Sequence, residues 1–320
     1  MTGTAIVSQQ QGAVQPLPTM GELVEKFLAS VDVAASSRAT YRRQLRKFLS
    51  WLESSLVDGL TRMERLEQRL FDLEDVLAYR DGLQAEGLST YSVNGYLTAV
   101  RKLFQFLEAK RAYPDVSKVK GLKKPRGYRK DTFTQEQLRE ILAGIDRSSQ
   151  DGLRDYAILN LMARTGLRDV EVSRARIGDI RQEAGYPVLW VQGKGRDSKD
   201  DFVLLTPEAY KPIKAYLRAR GTRREAAPLF SSSSDRNAGQ PLSTRSISRI
   251  AKGAFRRAGL DSRQMTAHSL RHTAITLAIM GGASLHQAQA MARHSDPSTT
   301  MTYFHNLARV EAGAEKCISF

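Results

Sequence analysis

The stretch TAHSLRHTAITLAIMGG, residues 266–282, has the composition of a buried helix that ends at a pair of glycines. His268, Arg271 and His272 interrupt its apolar residues. A buried guanidinium is costly without an anionic partner, so we expect these polar groups to have a use. His268 and Arg271 are three positions apart and therefore share one face of the helix. The stretch predicts a helical domain with a polar site built into it.

A metal site is the first use to consider, because two histidines four residues apart on a helix can bind zinc. The metalloprotease pattern requires Glu directly after the first histidine, and Ser269 stands there instead. No obvious third ligand follows the pair, although His294 is available. We therefore expect neither a metal nor another cofactor.

Phosphoryl transfer suits the arginines better, because guanidinium groups donate paired hydrogen bonds to phosphate oxygens and stay protonated. Arg271 is one such group, and Arg168 in TGLRDVEV, residues 165–172, is a second candidate. Glu171 follows Arg168 by three positions and can orient it through an ion pair. The alternative for Arg168 and Glu171 is an ordinary surface pair on a helix.

Such a reaction needs a nucleophile, and Tyr303 in HSDPSTTMTYFH, residues 294–305, is the candidate. A phenol has a pKa near 10, so it needs cations nearby and a base that takes its proton. Tyr303 lies between His294 and His305, a setting that the other tyrosines lack. The alternative is an aromatic residue that packs a terminal helix. His305 has no defined role.

The formal net charge of +15 indicates a polyanionic partner, and nucleic acid is the usual one. An anionic membrane surface is the alternative. The sequence has no run of apolar residues long enough to span a membrane, and no long basic amphipathic helix with a bulky apolar face at its end. The single cysteine, Cys317, excludes a disulfide framework and fits a reducing, cytoplasmic compartment.

Positive charge is concentrated in two segments. Residues 38–47 carry five basic groups and no acidic one, although residues 1–113 are nearly neutral overall. Residues 114–132 carry a net charge of +5. Phosphate contacts are therefore predicted for the side chains of Arg38, Arg42, Arg43, Arg46, Lys47, Lys123, Lys124 and Arg126. The alternatives are a solubilising face for the first segment and a soluble connector for the second.

Apolar periodicity divides the chain into a flexible tail (1–18), a helical domain (19–113), a basic linker (114–132) and a second domain (133–320) with a tail from about 307. In the helical domain, apolar stripes predict helices near 20–30, 37–54 and 72–86 and one capped by Ser89. The second domain is predicted to be mainly helical, with a small antiparallel ribbon of two strands. These strands are PVLWVQ (187–192) and FVLLTP (202–207), joined by a polar, basic tip.

Four motifs, TGLRDVE, GKG, HSLRHT and HSDPSTTMTYFH in this order, resemble the tyrosine recombinase family of the phage-integrase type. The basic helical domain resembles that family's core-binding domain, so the likeness covers nearly the whole chain. The resemblance implies a two-domain clamp on double-stranded DNA and site-specific recombination through a 3′-phosphotyrosyl intermediate, without metal or ATP. It also implies paired recombination sites, a homotetramer, and docking of residues 307–320 on a neighbouring subunit.

The resemblance also implies roles for single residues. Arg168 and Arg271 match the two catalytic arginines, and Glu171 matches the acidic residue one turn after the first. Lys194, in GKG, matches the mobile lysine that protonates the leaving 5′ oxygen. Lys199, on the same loop, is the less favoured substitute.

The histidines and the tyrosine are matched in the same way. Tyr303 matches the nucleophile, and His294 matches a ligand of a non-bridging phosphate oxygen. His268 is expected to assist proton transfer near the nucleophile, whereas His272 is expected to support the helix. The sequence departs from the family pattern at Arg293, because the family often has glycine before the late histidine.

Two other functions share these features. A type IB topoisomerase-like enzyme has similar active-site chemistry but rejoins the same strand, and the helical N-terminal domain favours the recombinase over it. A non-catalytic DNA-binding protein of the same fold is the second alternative, and the complete set of polar residues argues against it. Phage, transposon, integron and chromosome-resolution contexts all remain open.

Overall fold

The computed structural model describes residues 19–108, 116, 118–123, 132–193, 195–311 and 317–318, with backbone alone for 306–311. The chain divides into two compact units, Met1–Arg126 and Gly127–Phe320. Within the described ranges, no helix combines the length and apolar character that crossing a bilayer requires. The predicted flexible tail, and Lys124 and Arg126 of the predicted linker, lie outside the described residues.

The first unit is a helical bundle with one short hairpin. The elements in chain order are α1 (Met20–Ser30), α2 (Ala35–Ser54), β1 (Leu56–Val57), β2 (Leu60–Thr61), α3 (Arg62–Glu67), α4 (Leu73–Ala85) and α5 (Thr90–Glu108). The four predicted helices are confirmed, whereas the hairpin and α3 were not predicted. Helix α2 starts at Ala35, two residues before the predicted start near 37, and Ala34 takes the cap position without a side-chain hydrogen bond.

The predicted apolar stripe of α2 supplies the centre of this bundle. Leu45, Phe48 and Leu52 are fully buried, and Tyr41 is partly buried beside them. The ring of Phe48 meets the ring of Tyr79 from α4 edge-on, with centroids 5.0 Å apart. Buried aromatic pairs of this kind add about 0.5–1.5 kcal/mol to the area they bury. The stripe therefore fixes which face of α2 remains outside.

The second unit is mainly helical around a small antiparallel sheet, which confirms the predicted fold class. Its elements are α6 (Gln135–Ala143), α7 (Gln150–Thr165), α8 (Asp169–Arg174), a 3-10 turn (Ile177–Asp179), β3 (Ile180–Glu183), β4 (Tyr186–Val191), β5 (Asp201–Leu204), α9 (Pro207–Arg220), a second 3-10 turn (Asp235–Asn237), α10 (Thr244–Arg257), α11 (Ala267–Met280), α12 (Leu285–Ala292) and α13 (Pro297–Glu311).

The sheet has three strands in the order β3-β4-β5, so the predicted two-stranded ribbon was incomplete. Ile180 pairs with Leu189, and Leu189 pairs with Val203, both in antiparallel register. Strand β3 reads IRQE and has no fully buried residue. It therefore lacks the apolar alternation on which strand prediction depends.

Helix α7 is the central helix of this unit, because Ala157 to Ala163 are buried on every side. It packs against α9 and α11. The helix ends at Gly166, whose φ of +63° lies in the left-handed region that glycine adopts without strain. The chain then turns immediately into α8, with Arg168 at the N-cap. This turn brings the first predicted arginine beside the buried helix α11.

Candidate active site

The α7–α8 junction holds Arg168 against a buried carboxylate. Glu171, which is 1% exposed, accepts a hydrogen bond from the Arg168 backbone amide at 2.7 Å and another from Arg168 Nη1 at 2.9 Å. Burial acts to raise the pKa of Glu171, but Arg293 and Arg168 outweigh it and hold the pKa below its ordinary value. The predicted ion pair is therefore present, and it is a buried pair and not a surface pair.

Arg271 lies on α11 and is also buried, with 1% exposure. Its Nη1 donates to the carbonyl oxygen of Gly166 at 2.5 Å, and its Nη2 donates to the carbonyl oxygen of Ala292. Burial, followed by the charges of Arg168 and Arg293, lowers the pKa of Arg271 to about 9, so the guanidinium stays protonated at neutral pH. The end of α7 and the end of α12 thus fix its position.

A third guanidinium, which the sequence interpretation did not include in the site, belongs to Arg293. Its Nη2 donates to Glu171 Oε2 at 2.7 Å, and its Nη1 donates to the carbonyl oxygen of Met291 at 2.7 Å. The side chain is only 6% exposed. The one available signal was the departure from glycine at this position. The sequence does not predict this pair, because Glu171 and Arg293 are 122 positions apart.

His294 follows directly and is partly buried. Its Nδ1 lies 2.9 Å from the hydroxyl of Thr300, near the start of α13. Burial, followed by the charges of Arg271, Arg168 and Arg293, lowers the pKa of His294 to about 4. The imidazole is therefore neutral at pH 7.

Tyr303 lies on α13 and is 4% exposed. Its hydroxyl makes a short hydrogen bond with Nδ1 of His272, and the two rings stack with centroids 5.5 Å apart. His268 meets His272 edge-on at 4.7 Å between centroids. The tyrosine also packs against Ile275, so it is a core aromatic with its hydroxyl among histidines. His272, expected only to support the helix, is placed directly at that hydroxyl.

One cavity of about 310 Å³ gathers these groups. It is lined by Arg168, His268, Arg271, His272, Arg293, His294, Ser295, Asp296, Thr299 and Tyr303. A neighbouring cavity of about 470 Å³ shares Arg168, Arg293 and Ser295 with it and reaches Gly193 and Arg196 of the β4–β5 loop. The start of α8, the end of α12 and the helices α11 and α13 thus converge on one polar space within the second unit.

Lys199 and His305 do not line the first cavity. Lys194 is outside the described residues, although its neighbour Gly193 lines the second cavity. Lys199 is ion-paired with Asp179, with Nζ 2.5 Å from the carboxylate. His305 is exposed. Within the described ranges, no group of three or more His, Cys, Asp or Glu side chains is arranged to hold a metal ion.

The predicted phosphate contacts of α2 differ in their availability. Arg43 and Arg46 are exposed, as is Lys123 further along the chain. Arg42 pairs with Glu25 at 2.5 Å, and Lys47 pairs with Glu86 at 2.6 Å. Arg38 is partly buried and donates to the carbonyl oxygen of Val31 at 3.2 Å, so its guanidinium is less available to a phosphate than those of Arg43 and Arg46. The helix boundary explains this, because Arg38 lies in the first turn, over the α1–α2 connection.

Fixed guanidinium groups, a neutral histidine and a tyrosine hydroxyl around one cavity form a site suited to phosphoryl transfer. Residues 131–309 match the family described as "Phage integrase family", and residues 24–111 match "Phage integrase, N-terminal SAM-like domain". The first match alone spans more than half of the 320 residues. The chain therefore belongs to the phage integrase family and is a tyrosine recombinase, a DNA strand-transferring enzyme.

Individual relatives agree with this assignment. A tyrosine recombinase of Synechococcus elongatus is 30% identical over 304 residues, which cover 93% of each chain. Tyrosine recombinase XerD of Listeria monocytogenes is 28% identical over 299 residues, 89% of this chain and 94% of the relative. The fold is shared with XerH site-specific recombinase, solved as a post-cleavage complex with a palindromic difH substrate. That match has a TM-score of 0.71 and 20% identity, covering 92% of this chain and 84% of XerH.

Proposed function

We propose that this recombinase cleaves double-stranded DNA with Tyr303 as the nucleophile and with Arg168, Arg271 and His294 as ligands of the attacked phosphate. One observation carries the proposal: the Tyr303 hydroxyl meets a histidine nitrogen inside the cavity that these three side chains line. A phenol needs both a base and nearby positive charge to attack phosphorus at neutral pH. The cavity supplies both.

The cleavage step forms one bond and breaks one. Oη of Tyr303 attacks the phosphorus atom, and the bond from phosphorus to the 5′ oxygen breaks. The phenolic proton passes to Nδ1 of His272, and Lys194 gives a proton to the departing 5′ oxygen. The products are a 3′-phosphotyrosyl bond and a free 5′-hydroxyl. Because the phosphoester is conserved, a 5′-hydroxyl from a partner strand can reverse the step onto a new strand.

The phosphate ligands act by preorganised electrostatics. The attacked phosphate gains negative charge on its non-bridging oxygens, and groups held before the reaction need no reorganisation to stabilise it. Arg271 is fixed by two backbone carbonyls, and Arg168 is fixed by Glu171. The active tautomer of neutral His294 in this proposal carries its proton on Nε2, which donates it to a phosphate oxygen, while Nδ1 accepts a hydrogen bond from the Thr300 hydroxyl.

His268 has an assisting role in this scheme. Its ring lies edge-on to His272, which itself touches the nucleophile. We assign to His268 the orientation of His272 and the exchange of its proton with solvent. His268 thus keeps its expected part in proton transfer near the nucleophile, whereas His272, expected to support the helix, takes the role of the base in this proposal.

The partners follow from charge and from the family resemblance. The two units are proposed to clamp a DNA duplex, with Arg43, Arg46 and Lys123 at its phosphates and the basic linker crossing the backbone. Exchange requires two recombination sites, which a homotetramer would hold, with residues 307–320 of each subunit docking on a neighbour. We propose a cytoplasmic location, and the single cysteine supports it because one thiol cannot build a disulfide framework.

A nicked suicide duplex tests the nucleophile. Cleavage near the nick releases a short strand and traps the protein–DNA adduct, which survives denaturant. We expect the adduct with wild type and with the exposed control Tyr186→Phe, but not with Tyr303→Phe. Adduct formation should be unchanged by EDTA. No adduct with wild type, or an adduct with Tyr303→Phe, contradicts the proposal.

Exchange between two duplexes tests recombination against simple relaxation. Two differently labelled duplexes, each with one site, should give products that carry both labels. Relaxation of a supercoiled plasmid without any exchanged product would instead indicate topoisomerase-like religation of the same strand.

A further inference from the structure

The backbone at Arg293 adopts a conformation that arginine does not favour. This residue ends α12 with φ +53° and ψ 48°, in the left-handed region. Glycine is the usual residue at such a helix end, and Gly166 takes that position at the end of α7. A side chain held in this region costs on the order of 1 kcal/mol. Because arginine is strained in this backbone conformation, its presence here indicates that the side chain has a function.

The guanidinium of Arg293 points inward to Glu171. Its Nη2 lies 2.7 Å from Oε2 of that carboxylate, and the side chain is nearly inaccessible to solvent. Oε1 of the same carboxylate receives Nη1 of Arg168 at 2.9 Å. One buried carboxylate is thus shared between two guanidinium groups, one on each oxygen.

Charge balance shows what this sharing achieves. Asp296 also lines the cavity but is exposed to solvent, which screens its charge. Among the remaining charged groups, Arg168, Arg271 and Arg293 against Glu171 leave two net positive charges. Without Arg293, one would remain, because Glu171 would neutralise Arg168 alone. An attacked phosphodiester passes from one negative charge towards two, so the second positive charge matches the charge that develops.

We propose that Arg293 is a positioning residue for DNA cleavage. It binds Glu171, so that this carboxylate does not fully neutralise Arg168 and the remaining N–H groups of Arg168 stay available to the phosphate. This inference rests on the proposed function of the site. Arg293 acts through Glu171 and not by contact with the reacting atoms. The lowered pKa of His294, to which Arg293 contributes, agrees with a cation that acts on the whole cavity.

Cleavage kinetics give the first test. In Arg293→Gly the backbone strain disappears together with the guanidinium. We expect single-turnover cleavage of the suicide duplex at saturating protein to fall by about 10- to 100-fold, as for other residues that orient a ligand-binding side chain. Arg293→Lys should recover most of the rate, because it restores the charge beside Glu171. An unchanged rate in Arg293→Gly overturns the proposal.

The chain offers a matched control at Arg69. That arginine also has a left-handed backbone, with φ +61°, but it is exposed and lies in the first unit. Arg69→Gly removes the same strain and the same charge, and we expect its single-turnover rate to equal that of wild type. An equal loss of rate in both variants would attribute the effect to net charge and overturn the proposal. Arg293→Asn, which tolerates the same backbone conformation, replaces the glycine variant if that variant does not fold.

A titration of His294 without DNA gives a readout independent of catalysis. Charged and titratable groups around it are Arg271 and His272 from α11, Arg168 from the start of α8, Arg293 from the end of α12, and Tyr303 from α13. His294 also shares cavities with Asp296, with His286 of α12, with Arg196 of the β4–β5 loop and with Asp201 at the start of β5. In the wild type we expect the NMR titration midpoint of His294 to lie near 4. Arg293→Gly removes one cation and should raise this midpoint, whereas Arg293→Lys should bring it back towards the wild-type value. An unchanged midpoint overturns the inference. A wild type without adduct but with this shift would refute the proposed function alone.

Discussion

Arg271 Nη1 lies 2.5 Å from the carbonyl oxygen of Gly166, a contact that joins α11 to the end of α7. The same guanidinium reaches the carbonyl of Ala292 at the end of α12. Two orphan carbonyls at helix ends are thereby satisfied by one side chain. Yet burial, followed by the charges of Arg168 and Arg293, lowers the pKa of Arg271. Its contacts stabilise the fold, whereas its charge opposes folding in the absence of DNA.

These opposing effects predict that Arg271 can be removed with little loss of stability. In Arg271→Met, two hydrogen bonds from a charged donor, worth about 1.5–3 kcal/mol each, are lost, but a cation whose burial costs several kcal/mol and its repulsion are also removed. We expect the free energy of unfolding of the second unit to change by less than about 1 kcal/mol. Cleavage should nevertheless fall by about 10²–10³, as when one fixed donor of a charge-stabilising site is lost.

Tryptophan fluorescence can measure this, because the two tryptophans lie in different units, at Trp51 and Trp190. In a Trp51→Phe background, urea unfolding followed at Trp190 reports on the second unit. Leu270→Ala, at a fully buried neighbour on α11, is the control and should cost about 2–5 kcal/mol. A similar cost for Arg271→Met would assign this arginine a mainly structural role.

How far the sequence predicts this site depends on distance along the chain. The Arg168–Glu171 pair follows from a spacing of three residues, and the shared face of His268 and Arg271 follows from helical periodicity. The contacts between Arg293 and Glu171 and between Tyr303 and His272 depend on how helices pack, which periodicity does not encode. Local sequence patterns therefore predicted which side chains belong to the site, whereas the packing of the helices determines which of them are hydrogen-bonded to each other.

The same limit applies to the fold. Long apolar stripes such as that of α2 gave helices with correct bounds to within a few residues. The hairpin β1–β2 has two residues in each strand, too few to form a pattern, and strand β3 is largely polar. Short or polar strands are held by their neighbours in the sheet and therefore leave little signal of their own.

Acidification should destabilise the second unit partly through His294. Its pKa is about 4 in the folded state against 6.5 ordinarily, so below pH 6.5 the unfolded state binds a proton that the folded state does not. The stability that neutral His294 contributes to the folded state is fully present above pH 6.5 and is lost progressively as the pH falls towards 4. In His294→Gln the amide keeps a polar group without titrating, so we expect a smaller loss of stability between pH 7 and pH 5.

Urea midpoints of wild type and His294→Gln at the two pH values check this prediction. His286→Gln is the control, because His286 is exposed on α12 and should respond to acid as wild type does. An equal acid sensitivity in wild type and His294→Gln would show that His294 is not held neutral by its surroundings.

The two lysines of the β4–β5 loop should differ in effect. Lys199 is held by Asp179, so Lys199→Ala is expected to leave the cleavage rate nearly unchanged. Lys194→Ala should slow cleavage by about 10²–10⁴, the usual contribution of a general acid. A duplex with sulfur in place of the leaving 5′ oxygen needs no such proton, so it should restore the rate of Lys194→Ala. If Lys199→Ala slows cleavage and the sulfur-containing duplex restores its rate, the general acid is Lys199 and not Lys194.

Binding of DNA should depend most on those basic side chains of α2 that are not held by an acidic neighbour. Arg43 and Arg46 are exposed, whereas Arg42 is paired with Glu25 and must exchange that partner for a phosphate. The logarithm of the association constant falls with the logarithm of the salt concentration, and each phosphate contact that is lost reduces the steepness of this line by about 0.9. We expect Arg43→Ala and Arg46→Ala each to lower the slope by roughly that amount, and Arg42→Ala to lower it less. Fluorescence anisotropy of a labelled duplex between about 50 and 200 mM salt measures the slope. A wild-type affinity that hardly changes over this range would contradict phosphate binding by α2 altogether.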